Sequence, residues 1–287
     1  MRRDAVKLIF GIWTLLVLLG LYGPFFVMAI LSFTGRHGSM TFPLRDPGLI
    51  WYRFIFGMDV PGLYDPIAQH YGGSLIRSLI VALIVTVIST FLGLTAAQAF
   101  RNRFRASGAI FYLFLMGMIT PGVAIGLGQA FVYEFVLGVS KHWLTTTLVS
   151  HITWTFPFCF LVLMVNFNRF DRSVEEAAAC LGASPWTVYK TVTLPLVVPG
   201  LLASTLFAFT LSFDEFARSV FVTGVENTIP TMILGAQTNA LRPTIYVVGT
   251  LTTVLSMALI VLMLILIQMK VAKTRVKPGE RLQEEVA

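Results

Sequence analysis

Residues 173–200 read SVEEAAACLGASPWTVYKTVTLPLVVPG, a partly polar and helix-prone stretch set between long apolar runs. Ser173 followed by Glu176 has the S-x-x-E spacing of a capping box, in which a hydroxyl and a carboxylate satisfy the first free N–H groups of a helix. That predicts a short helix from Ser173 to Leu181, with small side chains over much of its surface, ended by Gly182 in a left-handed conformation. Ser184-Pro185 reads as a second N-cap with proline at the first helical position. A second short helix should follow from Pro185 to about Val192 and stop at Leu194-Pro195. A helix, a glycine elbow and a helix of this kind must face water. Trp186 and Tyr189, three positions apart, form an apolar knob of the sort that anchors protein interfaces. An ordinary re-entry loop with good caps would read the same way on pattern alone.

Around this island the chain is apolar. Its 287 residues are 56% hydrophobic and 12% charged, with a mean hydropathy of +0.80, whereas soluble domains carry roughly 25% charged residues. The fold class this implies is an all-α polytopic membrane protein. Stretches long enough for the about 20 residues that a spanning helix needs run over 8–33, 74–100, 108 to about 137, 144 to about 167, 194 to about 219, and 244–269. The first follows Arg2, Arg3 and Lys7 and is too long for a cleaved signal core, so it reads as a retained membrane helix. Residues 34–73 mix Gly, Pro, Asp and Arg with Trp51, Tyr52, Phe54, Phe56 and Tyr64. That composition suits a long loop at the interface, with a short helix near residues 50–56. Pro121, Gly122, Gly126 and Gly128 permit a local break or close packing in the third span.

The net charge of +7 follows topology rather than nucleic acid. With six spans both termini share a side, and that side collects Arg2, Arg3, Lys7, Arg101, Arg103, Arg105, Arg169, Arg172, Lys190, Lys270, Lys273, Arg275, Lys277 and Arg281. The remaining seven of the 21 basic residues fall elsewhere. The positive-inside rule then makes the termini and the 173–200 stretch cytoplasmic. Cys159 and Cys180 give neither a disulfide framework nor a metal spacing, and no Ser/His/Asp arrangement emerges.

Glu176, Ala177, Ala178, Gly182, Val192, Leu194 and Pro195 meet the spacing E-A-A, three residues, Gly, nine residues, Val-x-Leu-Pro. This resembles the cytoplasmic EAA loop of the membrane subunits of binding-protein-dependent ABC importers, over roughly Ser74 to Met269. The resemblance implies one permease domain, 1–287, with its core at about 74–269 and the coupling loop at about 169–195. It implies that Glu176, Ala177, Ala178, Gly182, Ala183, Trp186, Tyr189, Leu194 and Pro195 dock on a separate ATP-hydrolysing subunit. The sequence has no G-x-x-x-x-G-K-[ST] phosphate loop, so ATP and Mg would be bound by that partner and this chain would be a transport subunit rather than an enzyme. The implied assembly has two ATP-binding subunits, a homologous second permease chain and a periplasmic solute-binding protein, in a bacterial inner membrane.

A charge inside a span costs about 2.5–3.5 kcal/mol on insertion scales and is usually functional. Asp214-Glu215 lies ~28 Å beyond Pro195 on a helix rising 1.5 Å per residue, hence in the outer half. It is either an interfacial carboxylate pair facing Arg218 or a cation-attracting gate flanked by Phe213 and Phe216. FTLSFDEF, FVTG and Asn227–Pro230 resemble the spermidine and putrescine type of permease, the second of two membrane subunits. Asp-Glu stands here where that group often has Asp-Asp. Similar sequences are associated with opine-like compounds, phosphonates and ferric iron. Gln129 and Asn166 read as interhelical hydrogen-bond partners, and His151 as a packed or interfacial histidine. An ion-gradient-driven secondary transporter is the rival class, and it usually needs ionisable residues deep in several spans. A membrane-embedded enzyme would need a convergent catalytic set.

Overall fold

A computed structural model describes residues 2–36, 41–44, 46–58, 60–62, 65–102, 104–239 and 242–274. Arg45, Tyr64, Arg103 and the basic tail with Arg275, Lys277 and Arg281 lie outside the described residues. The described residues form helices joined by turns: α1 (Arg2–Leu31), α2 (Ile50–Ile55), α3 (Pro66–Phe100), α4 (Ser107–Ile119), α5 (Gly122–Phe131), α6 (Thr145–Phe167), α7 (Ser173–Cys180), α8 (Pro185–Val188), α9 (Leu194–Phe213), α10 (Ser219–Val222), α11 (Ile229–Asn239) and α12 (Pro243–Thr274). Five helical stretches are long and apolar enough to cross a membrane, or six when α4 with the stretch from Gly122 to Val136 counts as one broken span.

The chain divides into two compact units, one formed by residues 1–74 with 232–256 and the other by 75–231 with 257–287. In the first, almost none of α1 is buried, which suits a helix surrounded by lipid. The tyrosine of α2 reaches the end of α1, where the Ser32 and Tyr52 hydroxyls lie 2.6 Å apart. Asp65 caps α3 by accepting from the Ile67 N–H at 2.9 Å and also accepts from the Thr244 hydroxyl at the start of α12. The second span thus starts at Pro66, eight positions earlier than its hydropathy predicts, because this cap supplies a helix start inside polar sequence.

In the second unit α6 and α9 run antiparallel along their whole length. His151 meets Ser212, Cys159 meets Ser204, and a Cβ at Gly200 would collide with the Asn166 side chain. Phe160, Leu163 and Phe167 of α6 pack with Val197 of α9 and Ala97 of α3. Phe100, Phe111 and Phe114 close over Phe160 with ring centroids 4.8–6.2 Å apart. Edge-on ring packings of this kind add about 0.5–1.5 kcal/mol each beyond buried area.

One local expectation holds and three are corrected. The third span is broken where Pro121 and Gly122 permit it. α4 and α5 meet at 101° across Thr120-Pro121, since Pro121 holds an extended backbone before α5. Leu194-Pro195 does not end a helix: α8 passes through a π-turn at Tyr189–Thr193 into α9. The wider turn absorbs a proline that has no N–H to donate. α9 stops at Phe213 rather than near Ser219, so Asp214 and Glu215 lie in a turn. The capping box does not form either. The N-cap of α7 is Arg172, and Asp171 takes the role predicted for Ser173, accepting from the Ser173 N–H at 3.0 Å.

Candidate functional site

The α7–α8 loop is built as its local chemistry dictates. Gly182 has φ +83°, with Ala183 N–H donating to the Ala178 carbonyl and Gly182 N–H to that of Ala179, the double closure of a Schellman motif. Ser184 caps α8 by accepting from the Thr187 N–H at 3.3 Å. The elbow presents Leu181, 90% exposed, and Trp186, 69% exposed, with the Trp186 ring stacked on Tyr189 at 5.8 Å. Glu176, Ala177, Gly182 and Pro195 are also exposed, whereas Ala178, Ala183, Tyr189 and Leu194 are half-buried. The predicted loop residues therefore split into a water-facing crest and a base. Leu181 belongs to the crest although sequence reasoning passed over it.

The base is held by residues that sequence reasoning missed. Glu175 takes both guanidinium arms of Arg101, at 2.9 and 2.5 Å, and accepts from the Thr193 hydroxyl. The pair is largely buried, at 9% and 17% side-chain exposure. The Arg101 guanidinium lies over the rings of Phe167 and Phe170 at 5.2 and 4.9 Å. Arg172 donates to the Asn102 side chain at 3.2 Å and to the Arg101 carbonyl. The Arg101 hydrogen bonds hold the Glu175 carboxyl below its usual range, against the opposing effect of burial. Asp171 is likewise lowered, by its bonds from Ser173. The only sequence signal for this anchor was a second glutamate beside Glu176 and an arginine closing α3.

At the other end of α6 and α9 the four tentative path residues separate. Asp214 and Phe216 are exposed, while Phe213 is buried and stacked on Phe209. Glu215 is buried and holds Arg218, its Oε1 accepting from the Arg218 backbone N–H at 3.0 Å and from Nη1 at 3.1 Å. Arg218 thus pairs with the i−3 carboxylate and leaves Asp214 facing water. The Arg218 side chain is 2% exposed, lies 4.0 Å over Trp154 and has no hydrogen-bond partner at Nε or Nη2. Gly122 and Gly126 of α5 admit it, since a Cβ at either would fall 2.8–2.9 Å from Arg218 atoms. His151 is fully packed, its ring nitrogens 2.9 and 2.8 Å from the Ser212 and Ser219 hydroxyls. Gln129 bridges α5 to α6, donating to Thr153 at 3.1 Å and accepting from Ser150 at 2.5 Å. Asn166 does not fulfil its predicted role, because its buried Oδ1 has no hydrogen-bond partner. It packs on Gly200 beside a cavity of about 470 Å³ lined by Val165, Arg169, Pro199 and Ala203 among others. Among the described residues no His, Cys, Asp and Glu group could hold a metal.

Residues 89–276 match the family described as binding-protein-dependent transport system inner membrane component. The chain belongs to this family. It is therefore a membrane component of a binding-protein-dependent ABC importer, a transport subunit whose family relatives rely on ATP hydrolysis in a separate chain. It is 29% identical over 245 residues to the spermidine/putrescine transport system permease protein PotC of Haemophilus influenzae, covering 84% of this chain and 90% of that protein. It is also 29% identical over 182 residues to the putrescine transport system permease protein PotI of Escherichia coli K12, covering 61% and 64%. Among solved structures, a bacterial transporter for import of the acidic polysaccharide alginate shares the fold with a TM-score of 0.67 at 15% identity, covering 93% of this chain and 96% of that one. The MetNI methionine transporter in an inward-facing conformation matches with a TM-score of 0.54 at 18% identity, covering 75% and 100%.

Proposed function

We propose that this inner-membrane component carries a polyamine or a similar small organic cation, with the α7–α8 loop on the cytoplasmic face as the dock for a separate ATP-hydrolysing subunit. The observation that carries the docking role is the crest of Leu181 and Trp186, with Trp186 stacked on the half-buried Tyr189, held on a loop whose base is fixed by a buried ion pair. An exposed apolar crest on a rigid base lowers the ordering cost of binding and suits insertion into a partner's groove. The assembly consists of this chain, a homologous second permease chain, two ATPase subunits that bind ATP and Mg, and a periplasmic solute-binding protein on the outer face. Both termini lie in the cytoplasm, in keeping with the basic residues on that side.

Support for a cationic substrate comes from the polyamine permeases among the relatives and from Asp214, a carboxylate left facing water at the outer end of α9 because Arg218 is taken by Glu215. The test is uptake by the assembled complex in proteoliposomes, with Asp214→Asn beside the unaltered chain. The expected result is ATP-dependent putrescine or spermidine uptake that falls in the variant while every subunit still co-purifies. Unchanged kinetics would remove Asp214 from the path. Binding of opines, phosphonates or ferric iron, and not polyamines, by the solute-binding protein encoded beside this chain would replace the substrate class.

A further inference from the structure

We propose that Arg101 and Glu175 are positioning residues that carry movement of the α7–α8 loop into the α3–α4 connection, so that ATP-driven motion reaches α4 and the bent α5. The inference rests on the loop being the ATPase dock. The loop is already continuous with α6 through Phe167–Asp171 and with α9 through the π-turn, so those helices follow it by covalent connection. α4 has no such link. It begins at Ser107, six positions after Arg101. Two sets of contacts tie that connection to the loop: Glu175 of α7 holds Arg101 at the end of α3 bidentately while accepting from Thr193 of the π-turn, and Arg172 donates to Asn102 and to the Arg101 carbonyl.

Three features make this connection stiff. A bidentate arginine–carboxylate pair fixes orientation as well as distance. The Phe167 and Phe170 rings clamp the guanidinium, and Arg172 adds two bonds to Arg101 and Asn102. The pair is also removed from most solvent, so salt screens it weakly. A surface ion pair would fluctuate; this one moves as a unit with α7.

The test uses the complete complex in proteoliposomes, in a Cys180→Ser background so that the exposed native thiol does not react. The readout is solute taken up per ATP hydrolysed, which a purely structural role would leave unchanged in correctly assembled complexes. Glu175→Gln and Arg101→Gln should each lower it about tenfold, a usual coupling magnitude, and the double variant should be no worse than either single one. In Arg101→Cys/Glu175→Cys, a short thiol-specific crosslinker should restore it to within about twofold. Wild-type uptake per ATP in both single variants would overturn the proposal, as would a crosslink that fails to restore uptake or blocks it further. A variant that sheds the ATPase subunit is judged the same way, by whether the crosslink recovers docking and uptake together. Failure of the docking role itself shows separately, as ATPase co-purification that is insensitive to Trp186→Ala.

Discussion

Removing the charge of Glu215 should destabilise the end of the α6–α9 pair that holds Arg218 by several kcal/mol. Arg218 is 2% exposed, and its only ion-pair partner within contact among the described residues is Glu215, which neutralises it through a single oxygen, Oε1. Nε and Nη2 already lack hydrogen-bond partners, so no other group stands ready to accept from them. The Trp154 face at 4.0 Å offsets about 0.5–2 kcal/mol. Breaking a buried pair from one side costs about 3–5 kcal/mol because it strands a charge. Glu215→Gln keeps an acceptor oxygen and should fall at about 3 kcal/mol; Glu215→Ala should approach about 5 kcal/mol. Replacing both partners, as in Glu215→Gln/Arg218→Met, removes the stranded charge and should recover most of the loss. The assay is equilibrium unfolding in mixed detergent micelles for the four proteins, with Trp154→Leu as a further arm expected to cost about 1–2 kcal/mol. If Glu215→Gln matched the unaltered chain within about 0.5 kcal/mol, or if the double variant were worse than the single, the reasoning that Glu215 is the necessary counter-charge would be refuted.

Other predictions concern the loop and its packing. Gly182→Trp places a side chain on a residue at φ +83°, a strain of roughly 1–2 kcal/mol; ATPase co-purification should drop while membrane insertion, followed by protease protection, stays normal. Gly200→Leu has no room against Asn166 and should lower stability by about 1–3 kcal/mol, whereas Gly20→Leu, with nothing near it, should be neutral in the same denaturation assay. The Glu175 carboxyl is held below its usual value by Arg101, so its contribution is complete above about pH 4.3, the ordinary glutamate value. It is lost only as pH falls through the lower folded value. Hydrogen exchange at α7 should therefore stay protected down to about pH 4.3 and open below it, and Glu175→Gln should weaken that dependence, leaving the part that Asp171 contributes.

What was legible in the sequence followed local rules. Gly182 and Ser184-Pro185 dictated the elbow and the second cap because each acts on its own few residues, and runs of apolar residues located the membrane helices through length alone. The Arg101–Glu175 anchor was hidden because it joins positions 74 residues apart, and no local rule selects Glu175 over Glu176. Which of the two carboxylates pairs with Arg218 was hidden for a different reason. Asp214 at i−4 and Glu215 at i−3 are both in reach on a continuous helix, but α9 ends at Phe213 and the turn delivers Glu215. The bend at Thr120-Pro121 and the π-turn before α9 share a cause: proline's missing N–H can be accommodated by breaking a helix or by widening it, and neighbouring helices decide which. Asp171 displaced the predicted Ser173 cap because either residue can accept at a helix start, and the chain path out of Phe170 brings Asp171 to it.

The most direct test of the account is uptake into proteoliposomes that hold this chain, its partner permease and the ATPase subunits, with the solute-binding protein outside. Trp186→Ala, in the docking crest, is measured in parallel. Uptake should require ATP on the side of the α7–α8 loop and should collapse in the Trp186 variant together with ATPase co-purification. Uptake driven by a proton or sodium gradient without ATP, or full transport in a Trp186→Ala complex, would contradict it.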